Sequence, residues 1–382
     1  MNPIQSFLHS DISTSARLLI AVDVLCLLGI VAAVVAAFVR RSRAKRGLVG
    51  ASFVTRLPIQ FLTVALAVMV AVVAARWREV NHFPSQTMSE VLTMFSFALL
   101  GAMVVLHYAL GLARRGGGWA ILDDMLILLV FAGSFATHAW IRGLSTAQRD
   151  LPPALQSYWF PFHLTALIFS YATMAIAAFV CLLYFVTRFW SGVFLGGQSK
   201  KTQILTAAAL ILIPFVHIVT LPILALSGLV FWFVVKSGKM PHGAELEKLE
   251  KSFDDVSFRT FAVGFPFLTA GLWMGAFWAQ EAWANYWGWD SKENSALITW
   301  LVYVLYIHLR MLGGYRGSKA MSVLVGGAAS VFLTFQLFGY LPDSQKSLHR
   351  YTDDGVVPQE GQAGPAPAEE QARVEPAPKE AR

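Results

Sequence analysis

Four of the chain's twelve tryptophans fall within twelve residues, in the run Trp278-Ala-Gln-Glu-Ala-Trp283-Ala-Asn-Tyr286-Trp287-Gly288-Trp289-Asp290-Ser-Lys292-Glu293. Rings at this density offer broad flat apolar faces, and Asp290, Lys292 and Glu293 put charge along one edge. Such a surface suits a planar, largely apolar ligand with a polar rim. Anchoring at a membrane interface also uses Trp and Tyr, but roughly one or two per helix end suffice for it. A porphyrin is the planar ligand this text fits, with indole faces stacked on the macrocycle and charged groups near its carboxylates.

Porphyrin iron needs axial ligands, and neutral imidazole is the obvious one. Of nine histidines, His163 in Trp159-Phe-Pro-Phe-His163 precedes the tryptophan run and His349 in Ser347-Leu-His349-Arg350-Tyr351 follows it. Each is positioned to approach the run from one side. A third, His308, lies within an apolar segment with Trp300, Tyr303 and Tyr306. If that helix starts near Ser295, His308 sits about 20 Å along it. It reads either as a functional membrane histidine or as a helix-end residue reaching the headgroups beside Arg310. His107 and His217 read as packing or interhelical hydrogen-bonding residues, and His9 and His242 as solvated. His138 fits either class, and His82 in Asn81-His82-Phe83-Pro84 is a reserve candidate.

The elements that position these residues must cross a bilayer. The chain has 382 residues, 56% apolar and only 14% charged, against about 25% charged in soluble domains. That excludes a multi-domain soluble enzyme and a disordered scaffold. Windows of about 20 apolar residues, long enough for a ~30 Å core, occur near 18–39, 57–75, 91–112, 119–141, 161–187, 261–280, 297–312 and 320–340. The predicted fold is an all-α polytopic bundle of about eight transmembrane helices, with both termini outside. Nineteen Lys and Arg then fall on inner connections and six on short outer ones, which satisfies the positive-inside rule. The stretch 204–235, broken by Pro214 and Pro222 and basic at both flanks, reads as an extra apolar hairpin with no net crossing.

By this organisation residues 1–80 form two N-terminal helices, 81–351 a core carrying the hairpin and the loop 278–296, and 352–382 a disordered outer tail. The net charge of +7 reflects inner loops rather than a nucleic-acid partner. The two cysteines, Cys26 and Cys181, stand apart within apolar runs, so no CxxC motif or disulfide framework is predicted.

The run Trp283 to Glu293 resembles the WWD signature of haem-handling proteins, W-G-x-Y-W-x-W-D-P-K-E, with Ala284 in place of Gly and Ser291 in place of Pro. The whole chain resembles the CcsA (ResC) family of system II cytochrome c biogenesis. Further matches are Gly264-Phe-Pro-Phe-Leu-Thr-Ala-Gly271, Ile298-Thr-Trp300 through His308 and Arg310, and Tyr315-Arg-Gly317. Asn81 to Pro84 with Glu90, and Leu155-Gln-Ser through Trp159 and His163 to Ser170-Tyr171, match as well.

The resemblance implies that haem b is the cofactor, that His163 and His349 are its outer axial ligands, and that His308 belongs to an inner haem site. Trp278, Trp283, Tyr286, Trp287, Trp289, Asp290, Lys292, Glu293 and Trp300 are the residues expected around the macrocycle. It also implies a ResB/CcsB-type membrane partner, apocytochrome c as recipient, and a role as subunit of a haem lyase complex. The expected setting is the lipid of a bacterial inner membrane, with the tryptophan loop on the periplasmic side, rather than a thylakoid. A haem exporter that delivers without catalysing attachment is the alternative. The hairpin 204–235 departs from the plain inner loop usual in the family.

Overall fold

The computed structural model describes residues 13–48, 52–112, 118–145, 151–196 and 243–336, with 232 and 236 alone between them. Most of the expected hairpin, His349 and the tail lie outside the described residues. Among the described residues the chain is all helical. The elements are α1 (Thr14–Lys45), α2 (Phe53–Val80), α3 (Met88–Leu110), α4 (Gly118–Ile141), α5 (Trp159–Leu195), α6 (Ala244–Trp283), α7 (Ser291–Met311) and α8 (Ser318–Gln336), with a 3-10 turn at Pro153–Leu155 before α5. The first six are long and apolar enough to cross a membrane. α7 is more polar, with Lys292, Glu293, His308 and Arg310 along it, and α8 has 19 residues.

Local chemistry sets the helix starts. Ser52 caps α2 reciprocally with Thr55, and Thr87 caps α3 reciprocally with Glu90. Each pair satisfies backbone N–H groups that a helix start leaves open. Asn81 at φ 61° ends α2, a backbone shape that Asn tolerates better than most residues.

Side-chain pairs fix the helices antiparallel and in register. On α1 and α4, Asp23 meets His138 and Arg40 meets Asp124. Between α3 and α4, Ser96 meets Ser134 and His107 meets Asp123. Along α6, Gly271 accepts from His163 of α5, while Asp254 pairs with Arg310 of α7. Thr299 of α7 meets Thr334 of α8. This register gathers His82, His138, His163 and the tryptophan run at one end of the bundle. The other end carries Arg43, Lys45, Arg188, Lys248, Lys319 and Arg310, with His308 one turn short of it.

The outer surface is apolar. Phe38 is 72% exposed, and Val24, Leu27 and Val31 face outward on the same helix. Side chains of this kind, in this number, need an apolar solvent, which makes the chain a multi-pass membrane protein.

Two expected spans are longer in the structure. α5 continues beyond residue 187 to Leu195, and α6 begins at Ala244, well ahead of residue 261. At 37 and 40 residues these helices run about 55–60 Å. The extra turns of α6 are rich in charge and those of α5 follow Arg188, so a search for continuous apolar windows stops short of both. The Arg188–Glu250 ion pair joins the two extensions at 3.0 Å.

Candidate functional site at the tryptophan end

The site is built on the α5–α6 pair. Trp278, in the last turns of α6, is only 3% exposed and packs with Leu155 and Phe160. Its indole N–H donates to the Ala154 carbonyl at 2.7 Å, tying α6 to the 3-10 turn. Ser157 donates to Glu281 beside it. These contacts hold the start of α5, and His163 with it, against the end of α6.

His163 lies in the second turn of α5, half-buried. Its ring stacks on Trp278 with centroids 5.5 Å apart and planes 27° apart. Its Nδ1 lies 2.7 Å from the Gly271 carbonyl, which can only accept, so Nδ1 carries a proton and, in the neutral ring, Nε2 carries the lone pair. That is the tautomer in which an imidazole binds a metal through Nε2, its other nitrogen fixed by a hydrogen bond.

α6 ends where Ala284 turns left-handed at φ 57°. Ala284 stands where the WWD pattern has Gly, the residue that adopts this shape without strain. The non-helical part is therefore shorter than the loop 278–296 that the sequence suggests. Trp278 and Trp283 belong to α6, and residues from Ser291 onward belong to α7.

Within the turn, Trp283 packs on Trp278 at 4.9 Å. Trp287 and Trp289 form a separate edge-to-face pair at 6.1 Å, with Trp289 70% exposed. Tyr286 reaches Phe277 at 6.3 Å, and Phe277 reaches Trp159 at 4.9 Å. The aromatic wall is thus one buried set attached to His163 and one open set beyond it.

The charged residues after the tryptophans have a local task. Asp290 caps α7, accepting from the Lys292 amide at 2.8 Å, and Glu293 accepts from the amides of Gly288 and Asp290 at 2.8 and 3.1 Å. Both carboxylates shape the turn, and as anions they would repel a porphyrin's carboxylates. Lys292 is the only cation of the three. Trp300 is not in the cluster either. It lies deeper, donating to Thr269 at 3.1 Å and stacking near Phe265.

His308 stands near the opposite end on an exposed face of α7, one that also carries Leu301 and Leu305. Its Nδ1 donates to the Val304 carbonyl at 2.8 Å, again leaving Nε2 as the lone-pair nitrogen. His138 is placed differently. It is fully buried, with Nδ1 on Asp23 and Nε2 on Ser96, each at 2.7 Å. His107 bonds both oxygens of Asp123, the interhelical role expected of it. Sequence reading gave Gly271 and Ser157 only as parts of matching motifs and assigned no role to Gly275 or Glu281, although the Gly-x-x-x-Gly spacing of 271 and 275 was a signal of close helix contact.

Among the described residues no three His, Cys, Asp or Glu side chains converge on a common point. His163 is a lone imidazole beside a wall of indoles, the donor number that a porphyrin iron takes on one face. An apolar cleft of about 280 Å³ between α2, α3 and α5 is lined by Leu66, Met94, Gly101 and Phe169, with no histidine among its lining residues.

The profile of the family described as cytochrome C assembly protein matches residues 22–342. The chain belongs to that family. It is similar to the "Cytochrome c biogenesis protein CcsA" of Guillardia theta, at 31% identity over 73% of this chain and 80% of the relative. The protein of the same name from Heterosigma akashiwo is 32% identical over 72% of this chain and 79% of its own length. That of Synechococcus elongatus is 30% identical over 76% and 85%. The family match runs from α1 past α8, so the tryptophan turn, the His163 helix and the His308 helix all lie within it.

Proposed function

We infer that the protein binds haem b at its tryptophan end and supports its attachment to apocytochrome c, working with a ResB/CcsB-type partner. Membership of a cytochrome c assembly family supports the process. The observation that carries the site is His163, its Nδ1–H held by a backbone carbonyl and its face covered by Trp278. His163 is one axial ligand and His349 the other. Trp283, Trp287 and Trp289 cover the macrocycle, and Lys292 is the cation for its carboxylates. With eight crossings and the basic end inside, this face is the periplasmic side of a bacterial inner membrane.

Haem is the substrate here. The recipient Cys-x-x-Cys-His segment supplies thiols, and each S–H adds across a vinyl group, forming a C–S bond while the proton goes to the other vinyl carbon. The protein's part is to hold haem flat, shielded and in register, so that the addition proceeds at high effective concentration. The recipient's histidine then displaces one protein ligand. His308 near the opposite end supplies a first station on the inner side, which accounts for two histidines with the same Nδ1-to-carbonyl arrangement.

The test is the absorption spectrum of the purified full chain with its partner, as wild type and as His163→Ala, His349→Ala and Trp287→Ala. A reduced bis-imidazole spectrum weakened by each His change is expected, and full low-spin occupancy in all three variants would remove the assignment. Co-expression with an apocytochrome in a host lacking its own maturation system separates attachment from export. Covalent product is expected, and haem release without it would select the exporter.

A further inference from the structure

We propose that Gly275 is a positioning residue for the haem ligand. The missing side chain at Gly275, one turn beyond the Gly271 carbonyl, lets the His163 ring lie against the α6 backbone. The inference rests on the reading of His163 as an axial ligand. A Cβ built at Gly275 would stand 2.6 Å from His163 Cε1 and 2.7 Å from Nδ1. Both are well inside contact distance, and the ring cannot yield like the end of a flexible chain. It is held on one face by Trp278 at 5.5 Å and at Nδ1 by Gly271 at 2.7 Å.

Helix α6 thus sets three features of the imidazole. The Gly271 carbonyl selects the tautomer, the bare Cα of Gly275 admits the Nδ1–Cε1 edge, and Trp278 fixes the tilt. Gly275 has helical backbone, with no positive φ, so turn geometry does not require glycine there. A helix interior normally disfavours it by roughly 1 kcal/mol relative to Ala. The close approach of His163 is the feature on this face that requires it. Partners that orient a metal-binding imidazole typically change metal affinity by roughly 10- to 100-fold when altered. Gly275 would act at that level, through His163 and without touching the iron.

The experiment titrates reduced iron protoporphyrin IX into the purified full chain with its partner, reading the low-spin band and thermal stability. The variants are Gly275→Ala, His163→Gly and His163→Ala. Expected for Gly275→Ala is a haem affinity roughly 10- to 100-fold lower, with a shift from low-spin to high-spin iron. Added imidazole should restore the low-spin band, as it should in His163→Gly, while the melting temperature is held or raised. A wild-type spectrum in Gly275→Ala together with a lost band in His163→Ala overturns the role of Gly275 and leaves the ligand in place. An unchanged band in His163→Ala overturns the ligand reading itself. A lost band that imidazole does not restore, with a lowered melting temperature, makes Gly275 a packing residue and also overturns the proposal. If Gly275→Ala does not fold, 15N spectra of histidine-labelled wild type, assigned with His163→Ala, decide the matter. A proton on Nδ1 of His163 is required, and a proton on Nε2 overturns the cradle.

Discussion

His138 and His163 occupy the same end of the bundle, yet their surroundings are opposite. His138 sits among α1, α3 and α4 with both ring nitrogens engaged by side chains, Asp23 and Ser96, and Ser96 continues to Ser134 at 2.5 Å. Arg142 pairs with the other oxygen of Asp23. His163 has its Nδ1 bound by a backbone carbonyl and its ring edged by glycine and indole. A histidine locked from both nitrogens joins helices. One held at Nδ1 by a backbone carbonyl and stacked on an indole sits beside the aromatic wall, the arrangement that the proposed ligand role uses. The first half of the molecule meets the problem of polar groups in a membrane by pairing them, with Arg40–Asp124, His107–Asp123 and Arg76–Glu90 as further examples. The second half pairs polar groups too, Arg188 with Glu250 and Arg310 with Asp254, but lays His163 against a backbone carbonyl and an indole.

The strongest way to break this contrast is to exchange the two losses. His138→Ala should lower stability by about 3 kcal/mol, the scale for breaking a buried charge partnership, while leaving the haem spectrum as in wild type. His163→Ala should do the reverse, removing the low-spin band with little change in thermal unfolding. Parallel melting curves and spectra in detergent check both, and a spectral loss in His138→Ala would end the distinction. Asp254→Ala sharpens it at the other end of the bundle. It strands Arg310, which is 4% exposed and pairs with Asp254 through both of its oxygens, and should cost about 3–5 kcal/mol in the same thermal assay.

Smaller effects come from the turn. Asp290→Ala removes the cap of α7 and should cost about 1 kcal/mol. Because the turn carries Trp287 and Trp289, it should also weaken haem binding more than the stability loss alone explains, as a haem titration would read. Ala284→Gly relaxes a left-handed residue and should raise the melting temperature slightly, by the equivalent of about 1 kcal/mol or less. A fall instead would mean that the Ala284 methyl packs usefully.

Much of this protein was legible in its text. The apolar windows give the helices, because a 30 Å core demands about 20 residues regardless of their neighbours. The density of indoles between Trp278 and Trp289 is plain in the sequence, and the surrounding motifs mark the family. The text also contained a signal read differently: Asp290 and Glu293 have the spacing of a helix-capping box, and they shape the turn rather than the rim of a ligand site. The start of α6 was invisible to an apolarity search because about half of its residues before 261 are charged, and the end of α5 because Arg188 closes the apolar window ahead of it.

Only the tertiary structure decided which groups each histidine meets. His138 and Asp23 are 115 residues apart, and His163 and Gly271 are 108 apart. No local pattern in the chain specifies either contact. Hydropathy places a helix in the membrane but leaves its rotation and its register against the next helix undetermined. Those follow from side-chain packing and from the need to satisfy every polar group in a solvent that satisfies none. That packing turned His138 inward onto a carboxylate and laid His163 against the bare backbone of α6.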